Sequence, residues 1–486
     1  MGIFRIIDGF FQKILRIPYS AYLLLLVPII IGCVRVLEED VMHHLSANMD
    51  FFVLHVIVSY LVLQIMMTGS LAIASGEGFK KAAGPVAVGM VLAWIPPVLD
   101  LLIGAQDGRS YYYIREFSPF FISKNLFLGE TFTVWLVLAN FVVYLHWWKR
   151  SLWRTLLGFL LAWMSMQIFA WGWHEFVKLF MEFELRLFAN VMSFVGLLGS
   201  FLIYSIFNFK SMWPSLKRIN HALPWAIVTM LGSRLAGGDW FFTIILGLAA
   251  LWMFLLVIIV NDYFDRHQDA SGTEEARQVD SNNLVFAIGM QFFLLLWVMF
   301  FYPNAFVLLL LFFTITAAYH MPQLRFKRFF CMNYKTEGIS GAVFFLFGLY
   351  VNGPLPEGLW APIMTLLVFG GFSGGSMFKD YKDIDEDWRD KVGTIYTRNL
   401  KKGRKLKHIH LAVSLFMSAM FVVPPVWMLV SGHNFWHAML LFALMPLPAV
   451  LLLSLKKRPK LAVESTMWAF ALYLAALAFV MPAMMN

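Results

Sequence analysis

Apolar runs near 20 residues long recur from one end of this chain to the other, and that recurrence limits its fold more than any other feature. Wound as a helix, a run of that length crosses the hydrocarbon core of a bilayer. Inside that core every backbone polar group needs an internal partner, so a spanning segment is a helix or a strand of a closed barrel. The runs are continuous, not alternating, which excludes a barrel. Composition agrees: 60% of residues are hydrophobic and only 14% charged, with a mean hydropathy of +0.71. A soluble domain carries about 25% charged residues. The chain therefore reads as an all-α polytopic membrane protein with about 15 transmembrane helices.

Six spans are expected first, at residues 19–34, 51–73, 85–102, 128–147, 156–173 and 187–207. The basic start (Arg5, Lys13, Arg16) followed by residues 19–34 reads as a retained first span. A break at Lys210–Ser215, with Pro214 and the pair Lys217-Arg218, divides the chain into an N-terminal transmembrane domain, 1–210, and a second domain, 211–486. Nine spans are expected in the second, at 219–235, 241–260, 284–301, 305–319, 339–351, 359–377, 410–430, 435–455 and 461–481. Their loops alternate. The links at 217–218, 266–277, 325–335, 379–407 and 456–460 hold basic residues, while those at 237–240, 302–304, 352–358 and 431–434 hold no Lys or Arg. Basic loops stay on the cytoplasmic side, which puts the N-terminus inside and the C-terminus outside. The net charge of +9 sits in these short loops, so it reads as topology and contact with anionic membrane lipids, not as nucleic-acid binding. Cys33 and Cys331 are too far apart to suggest a disulfide framework.

The second expected span of this domain ends in Asn261-Asp262-Tyr263-Phe264-Asp265, with Asp269 beyond. On a helix, Asn261, Asp265 and Asp269 fall at i, i+4 and i+8 and share a face. Clustered carboxylates repel one another unless a cation lies between them, and Mg²⁺ commonly joins carboxylates to substrate phosphates. Taken alone, the stretch is equally a solvated acidic cap. A second acidic stretch, Lys379-Asp380-Tyr381-Lys382-Asp383-Ile384-Asp385-Glu386-Asp387, closes another apolar run on the same side of the membrane. Asp380, Asp383 and Asp387 are spaced i, i+3, i+7, as on one helical face. Two such faces can hold two cations and a diphosphate, and metal bridging neutralises the charge of a departing diphosphate. A third segment on that side, Tyr319 to Arg328, supplies Arg325 and Lys327, donors suited to phosphate oxygens.

These residues resemble the UbiA superfamily of intramembrane prenyltransferases. Asn261, Asp262, Asp265 and Asp269 match its NDxxDxxxD motif, and Lys379, Asp380, Asp383 and Asp387 its KDxxDxxxD motif. Tyr319, Pro322, Leu324, Arg325, Lys327 and Arg328 match its Tyr-Ser-Pro-Pro-Leu-Arg-Leu-Lys-Arg-like segment. Gly393-Thr394 and the basic Lys217-Arg218-Ile219-Asn220 also fit, and the resemblance runs from about Trp213 to Met481. It departs at Arg277-Gln278, where the family often has Arg-Pro, at Glu386 and at His320. The resemblance implies a nine-helix bundle around a central cavity and an Mg²⁺-dependent transfer of an isoprenyl group. The donor would be an isoprenyl diphosphate and the acceptor an aromatic or a lipid or other alcohol. It implies two Mg²⁺ ions, on Asn261, Asp265 and Asp269 and on Asp383 and Asp387. Asp262, Asp265, Asp380 and Asp383 would be catalytic, and Arg325, Lys327, Lys379 and Arg277 would bind the diphosphate. Tyr319, His320 and Asn220 would lie on the acceptor side. The location implied is the cytoplasmic membrane of a prokaryote, with both Asp motifs on the cytoplasmic face. Two alternatives keep the clamp: a UbiA-like terpene cyclase or diphosphate lyase, and a non-catalytic binder or transporter of lipid diphosphates. The first six spans carry no comparable motif.

Overall fold

The computed structural model describes residues 8–9, 11–12, 21–43, 50–90, 92, 120, 128–169, 185–265, 279–320, 332–352, 360–389, 393–431, 435–445 and 459–480. Among these the chain is helical, with no strand. In chain order the helices are α1 (Ala21–His43), α2 (Asp50–Ser75), α3 (Phe79–Gly89), α4 (Leu128–Lys149), α5 (Leu152–Gln167), α6 (Leu185–Phe207), α7 (Phe209–Leu216), α8 (Ile219–Leu235), α9 (Trp240–Asp265), α10 (Ser281–Phe301), α11 (Pro303–His320), α12 (Met332–Val351), α13 (Trp360–Lys379), α14 (Ile384–Arg389), α15 (Ile395–Lys401), α16 (Leu406–Val430), α17 (Phe435–Leu444) and α18 (Pro459–Val480). Eight of the described helices are long and apolar enough to cross a membrane. This is a polytopic α-helical membrane protein. Of the other expected spans, 435–455 falls on the shorter apolar helix Phe435–Leu444, 219–235 on the 17-residue α8, and 339–351 on α12, whose first turns carry Lys335 and Glu337, while 85–102 runs into residues outside the described set at 91 and 93–102.

The chain forms two compact units. The first comprises Met1–Met212 with Ser281–Phe301, the second Trp213–Asp280 with Tyr302–Asn486. In the first, α2 is the hub and packs on α1, α3, α5 and α6. Tyr60, Leu63, Met67 and Leu71 of α2 share a core with Leu138, Phe141 and Leu145 of α4 and with Ala162 and Met166 of α5. Two polar contacts cross this core: the hydroxyls of Ser70 and Ser165 meet at 2.9 Å, and Gln64 Nε2 donates to the Leu23 carbonyl at 3.2 Å. At the helix ends Glu77 takes Lys149 at 2.6 Å and Lys81 at 2.9 Å. The helix α10, far along the chain, completes this unit. Tyr204 of α6 donates to Asn283 Oδ1 at 3.2 Å and stacks on Phe286 with ring centroids 3.7 Å apart. The Trp297 indole donates to Asn190 Oδ1 at 2.8 Å.

In the second unit α12 is the hub, packed on α8, α11 and α13. Its crossing with α8 needs glycine on both sides. A Cβ on Gly232 would stand 2.1 Å from the Phe345 carbonyl oxygen, and one on Gly348 would stand 2.1 Å from that of Thr229. Small residues of this kind let helix backbones touch inside a membrane, where dispersion contacts rather than the hydrophobic effect hold helices together. Trp225 of α8 fills the gap beside the crossing, its ring 4.5 Å from Phe254 and 4.4 Å from Phe372. Outer faces stay apolar: Val307, Leu310 and Leu311 of α11 and Leu411 and Leu415 of α16 are exposed, as lipid-facing side chains should be. A small apolar crevice lies between α13, α16 and α18, lined by Met364, Val368, Met420, Phe421, Phe470 and Tyr473.

Candidate functional site

The polar residues of the second unit collect at helix ends. The apolar run of α9 stops in Asn261, Asp262 and Asp265. Asn261 and Asp265 are one turn apart, and the Asn261 amide donates to Asp265 Oδ2 at 2.9 Å, so the face expected from their spacing is formed. Asp262 points elsewhere. Only 4% exposed, it accepts from Ser215 Oγ at 2.7 Å and from Arg218 Nη1 at 2.5 Å. A carboxylate buried at that level needs such partners, because an unpaired buried charge is costly. Asp262 thus ties the end of α9 to the segment that leads into α8. Asn220 and His221 follow on the first turn of α8, both half-buried, and His221 lies in the electrostatic range of Lys379, Arg218 and Lys382.

The second acidic stretch departs from the expected continuous helical face. Helix α13 ends at Lys379, and residues 380–383 form a turn before α14. Its bonds are of i→i+3 type, from Lys382 N–H to the Lys379 carbonyl at 3.2 Å and from Asp383 N–H to that of Asp380 at 3.2 Å. The reason is a contact from another helix. Asp380 is drawn into the protein at 7% exposure, where Tyr334 Oη donates to its Oδ2 at 2.7 Å. Asp383 and Asp387 remain half-buried. They are linked by a bond from the Asp387 N–H to the Asp383 carbonyl at 2.8 Å. Burial pushes the Asp380 carboxyl up to about 7, against the opposing pull of the Tyr334 hydroxyl and the Lys379 ammonium.

Two further helices close the neighbourhood. At the end of α11, Tyr319 donates to Asn333 Oδ1 at 2.6 Å. It also lies in electrostatic range of Glu337, Asp380, Asp265 and Asp387. Carboxylates of both acidic ends thus act electrostatically on one side chain. His320, 8% exposed, is edge-on to the Tyr319 ring at 4.8 Å. The helix α12 begins at Met332, seven residues before the span expected from hydropathy. Its extra turns carry Asn333, Tyr334 and Glu337. The half-buried Glu337 faces the charge of Lys379, and burial pushes its carboxyl up. These three residues were not singled out by sequence. Their signal was the i, i+4 spacing of Asn333 and Glu337 and the i, i+3 spacing of Tyr334 and Glu337 ahead of an apolar run.

Among the described residues no three His, Cys, Asp or Glu side chains lie close enough together to hold a metal. Asp269, Arg277, Arg325 and Lys327 lie outside the described residues. Each acidic end nevertheless presents two oxygen-bearing side chains, Asn261 with Asp265 and Asp383 with Asp387. That donor set fits Mg²⁺, which takes one or two carboxylates and completes its shell with phosphate oxygens and water.

The UbiA prenyltransferase family matches residues 222–475, more than half of the chain. The chain belongs to the UbiA family. The matched residues include α10, which packs within the first unit. Solved structures with some likeness include a digeranylgeranylglyceryl phosphate synthase in membranes, 17% identical with a TM-score of 0.41, the alignment covering 57% of this chain and 98% of that one. Another is a UbiA homologue from Archaeoglobus fulgidus bound to DMAPP and Mg²⁺, 14% identical with a TM-score of 0.41, covering 57% and 99%. No curated protein matches the chain.

Proposed function

We propose that this UbiA protein transfers an isoprenyl group from an isoprenyl diphosphate to an aromatic, lipid or other alcohol acceptor within the membrane, releasing diphosphate. The observation that carries this reading is the position of Tyr319, in electrostatic range of Asp265 at one acidic end and of Asp380 and Asp387 at the other. Membership of a prenyltransferase family supports the reaction class.

In this reading Asn261, Asp265 and Asp269 hold one Mg²⁺, and Asp383 and Asp387 a second. Ions bound there neutralise the charge that gathers on a departing diphosphate. Lys379 binds diphosphate oxygens with Arg325, Lys327 and Arg277. Electrostatic stabilisation of this kind is usually the largest single contribution to catalysis. The bond from the prenyl C1 to the bridging oxygen breaks, and its electron pair leaves with the diphosphate. The acceptor's nucleophilic atom then bonds to C1 and loses a proton. Glu337 is suited to receive that proton, directly or through water, because its carboxyl is half-buried beside Tyr319 and hydrogen-bonds to no other described residue. Asn220, Tyr319 and His320 line the acceptor side. Asp262 acts by fixing the end of α9, through Arg218 and Ser215. The alternation of basic loops supports a site on the cytoplasmic face, in this reading that of a prokaryote's cytoplasmic membrane.

Incubating the purified full-length protein with geranylgeranyl diphosphate, Mg²⁺ and a total lipid extract, then identifying products by mass spectrometry, tests the reading. A prenylated lipid or aromatic is expected. A cyclised or eliminated hydrocarbon would assign the protein to the cyclase or lyase class. Donor that stays bound and intact under every condition would make it a binder or transporter.

A further inference from the structure

Tyr334 belongs to neither acidic motif, yet three segments meet at its hydroxyl. The side chain is 2% exposed. Its Oη donates to Asp380 Oδ2 at 2.7 Å and accepts the backbone N–H of Ile395 at 2.5 Å. Its own carbonyl accepts from Ser373 Oγ of α13 at 3.1 Å. One turn further along α12, Gly338 brings the two helices so close that a Cβ there would stand 2.2 Å from Ser373 Oγ and 2.8 Å from the Phe369 carbonyl oxygen. The ring is thus held in place by the packing of α12 on α13. The Asp380 carboxylate is held in turn by the ring's hydroxyl. The turn that starts at Asp380 leads directly into Asp383 and Asp387.

We propose that Tyr334 is a positioning residue for the second acidic segment: by clamping Asp380 to the first turn of α15, it sets how Asp383 and Asp387 are presented to a bound divalent ion. The proposal rests on the reading of that segment as half of a metal–diphosphate clamp. Tyr334 itself touches no ligand and takes no part in bond making. Groups that orient metal ligands from behind in this way govern metal affinity as much as geometry.

Each half of the clamp can be removed separately. Tyr334→Phe deletes the hydroxyl and keeps the ring. Ile395→Pro deletes the other donor at little structural cost. Ile395 is the first residue of α15, where the N–H has no partner within the helix and proline is favoured. Thr394 before it is already extended, with φ −81° and ψ 169°, as the residue preceding a proline must be. Binding of Mn²⁺ alone to the purified full-length protein in detergent, followed by electron paramagnetic resonance well below the unfolding temperature, reads the effect. Both variants should bind Mn²⁺ about tenfold more weakly than wild type, the loss typical for a group that orients ligands. A purely structural role would lower the unfolding temperature and leave the affinity of the folded protein unchanged. Asp383→Ala is the control for the underlying reading. If it binds Mn²⁺ like wild type, the metal clamp fails and the proposal with it. If it binds weakly while either Tyr334→Phe or Ile395→Pro binds normally, the clamp stands and the positioning role is overturned. Should Tyr334→Phe not fold, Ile395→Pro alone decides.

Discussion

The Arg218 guanidinium meets the Asp262 carboxylate at 2.5 Å, with only 6% of the Asp262 side chain and 33% of the Arg218 side chain exposed. The first Asp of the first motif is therefore occupied by the protein itself. Its neighbour Asp265, one turn along, accepts from the Asn261 amide at 2.9 Å. Two carboxylates three residues apart thus have different partners: Asp262 holds the helix end to Arg218 and Ser215, and Asp265 pairs with Asn261.

That division predicts opposite phenotypes. Asp262→Ala leaves Arg218 without its counter-charge in a partly buried setting, and removing one member of such a pair costs about 3–5 kcal/mol. Asp265→Asn keeps the shape of the side chain and strands no buried counter-charge, so it should destabilise less than Asp262→Ala while reducing divalent-ion binding. Unfolding in mixed micelles monitored by circular dichroism measures the first effect. Equal stability of the two variants would show that Asp262 is not an anchor.

Asp380 predicts a pH dependence. Burial raises its carboxyl from an ordinary value of 3.8 to about 7, so the folded protein holds this proton more tightly than the unfolded chain. Its contribution to stability is fully present below about pH 4 and is lost as pH rises through about 7. In EDTA, the unfolding temperature of the wild type should therefore fall between pH 5 and pH 8 relative to that of Asp380→Asn, which stays neutral throughout. Parallel curves for the two proteins would refute the assignment.

The crossing of α8 and α12 predicts a contrast between glycines. At Gly348 a methyl group would stand 2.1 Å from the Thr229 carbonyl oxygen, so Gly348→Ala must push backbone from backbone. Overpacking of this kind costs about 1–3 kcal/mol. Gly375 of α13 has nothing within 4 Å of the same position, and Ala there should be neutral or stabilising through its better helix propensity. Thermal unfolding of the two variants separates them. A stable Gly348→Ala protein would mean the helices are not in backbone contact.

Much of this was legible in the sequence. Long apolar runs give helices because nothing else satisfies the backbone in lipid, and the spacing from Asn261 to Asp265 placed both on one face. What hydropathy missed lies where charge interrupts it. Lys335 and Glu337 broke the apolar pattern, so the span was expected from residue 339, although α12 starts at Met332. Asn333, Tyr334 and Glu337 were lost with those first turns. The break at residues 380–383 was hidden because i, i+3, i+7 spacing describes a helix, and only the distant Tyr334 pulls Asp380 out of it. The pairing of Arg218 with Asp262 and the packing of α10 beside Tyr204 and Asn190 are contacts between residues far apart in sequence, which no local periodicity encodes.

The central claim is that the two acidic helix ends act together on one diphosphate. Release of inorganic pyrophosphate from geranylgeranyl diphosphate, measured with and without Mg²⁺ in the presence of a total lipid extract, tests it most directly. The wild-type protein should release pyrophosphate only with Mg²⁺. Asp265→Ala and Asp383→Ala should each lose at least about a hundredfold in rate, and the double variant should lose no more than either alone, because residues that act as a unit are not additive. Release that persists without Mg²⁺, or that survives either single substitution, would contradict the account.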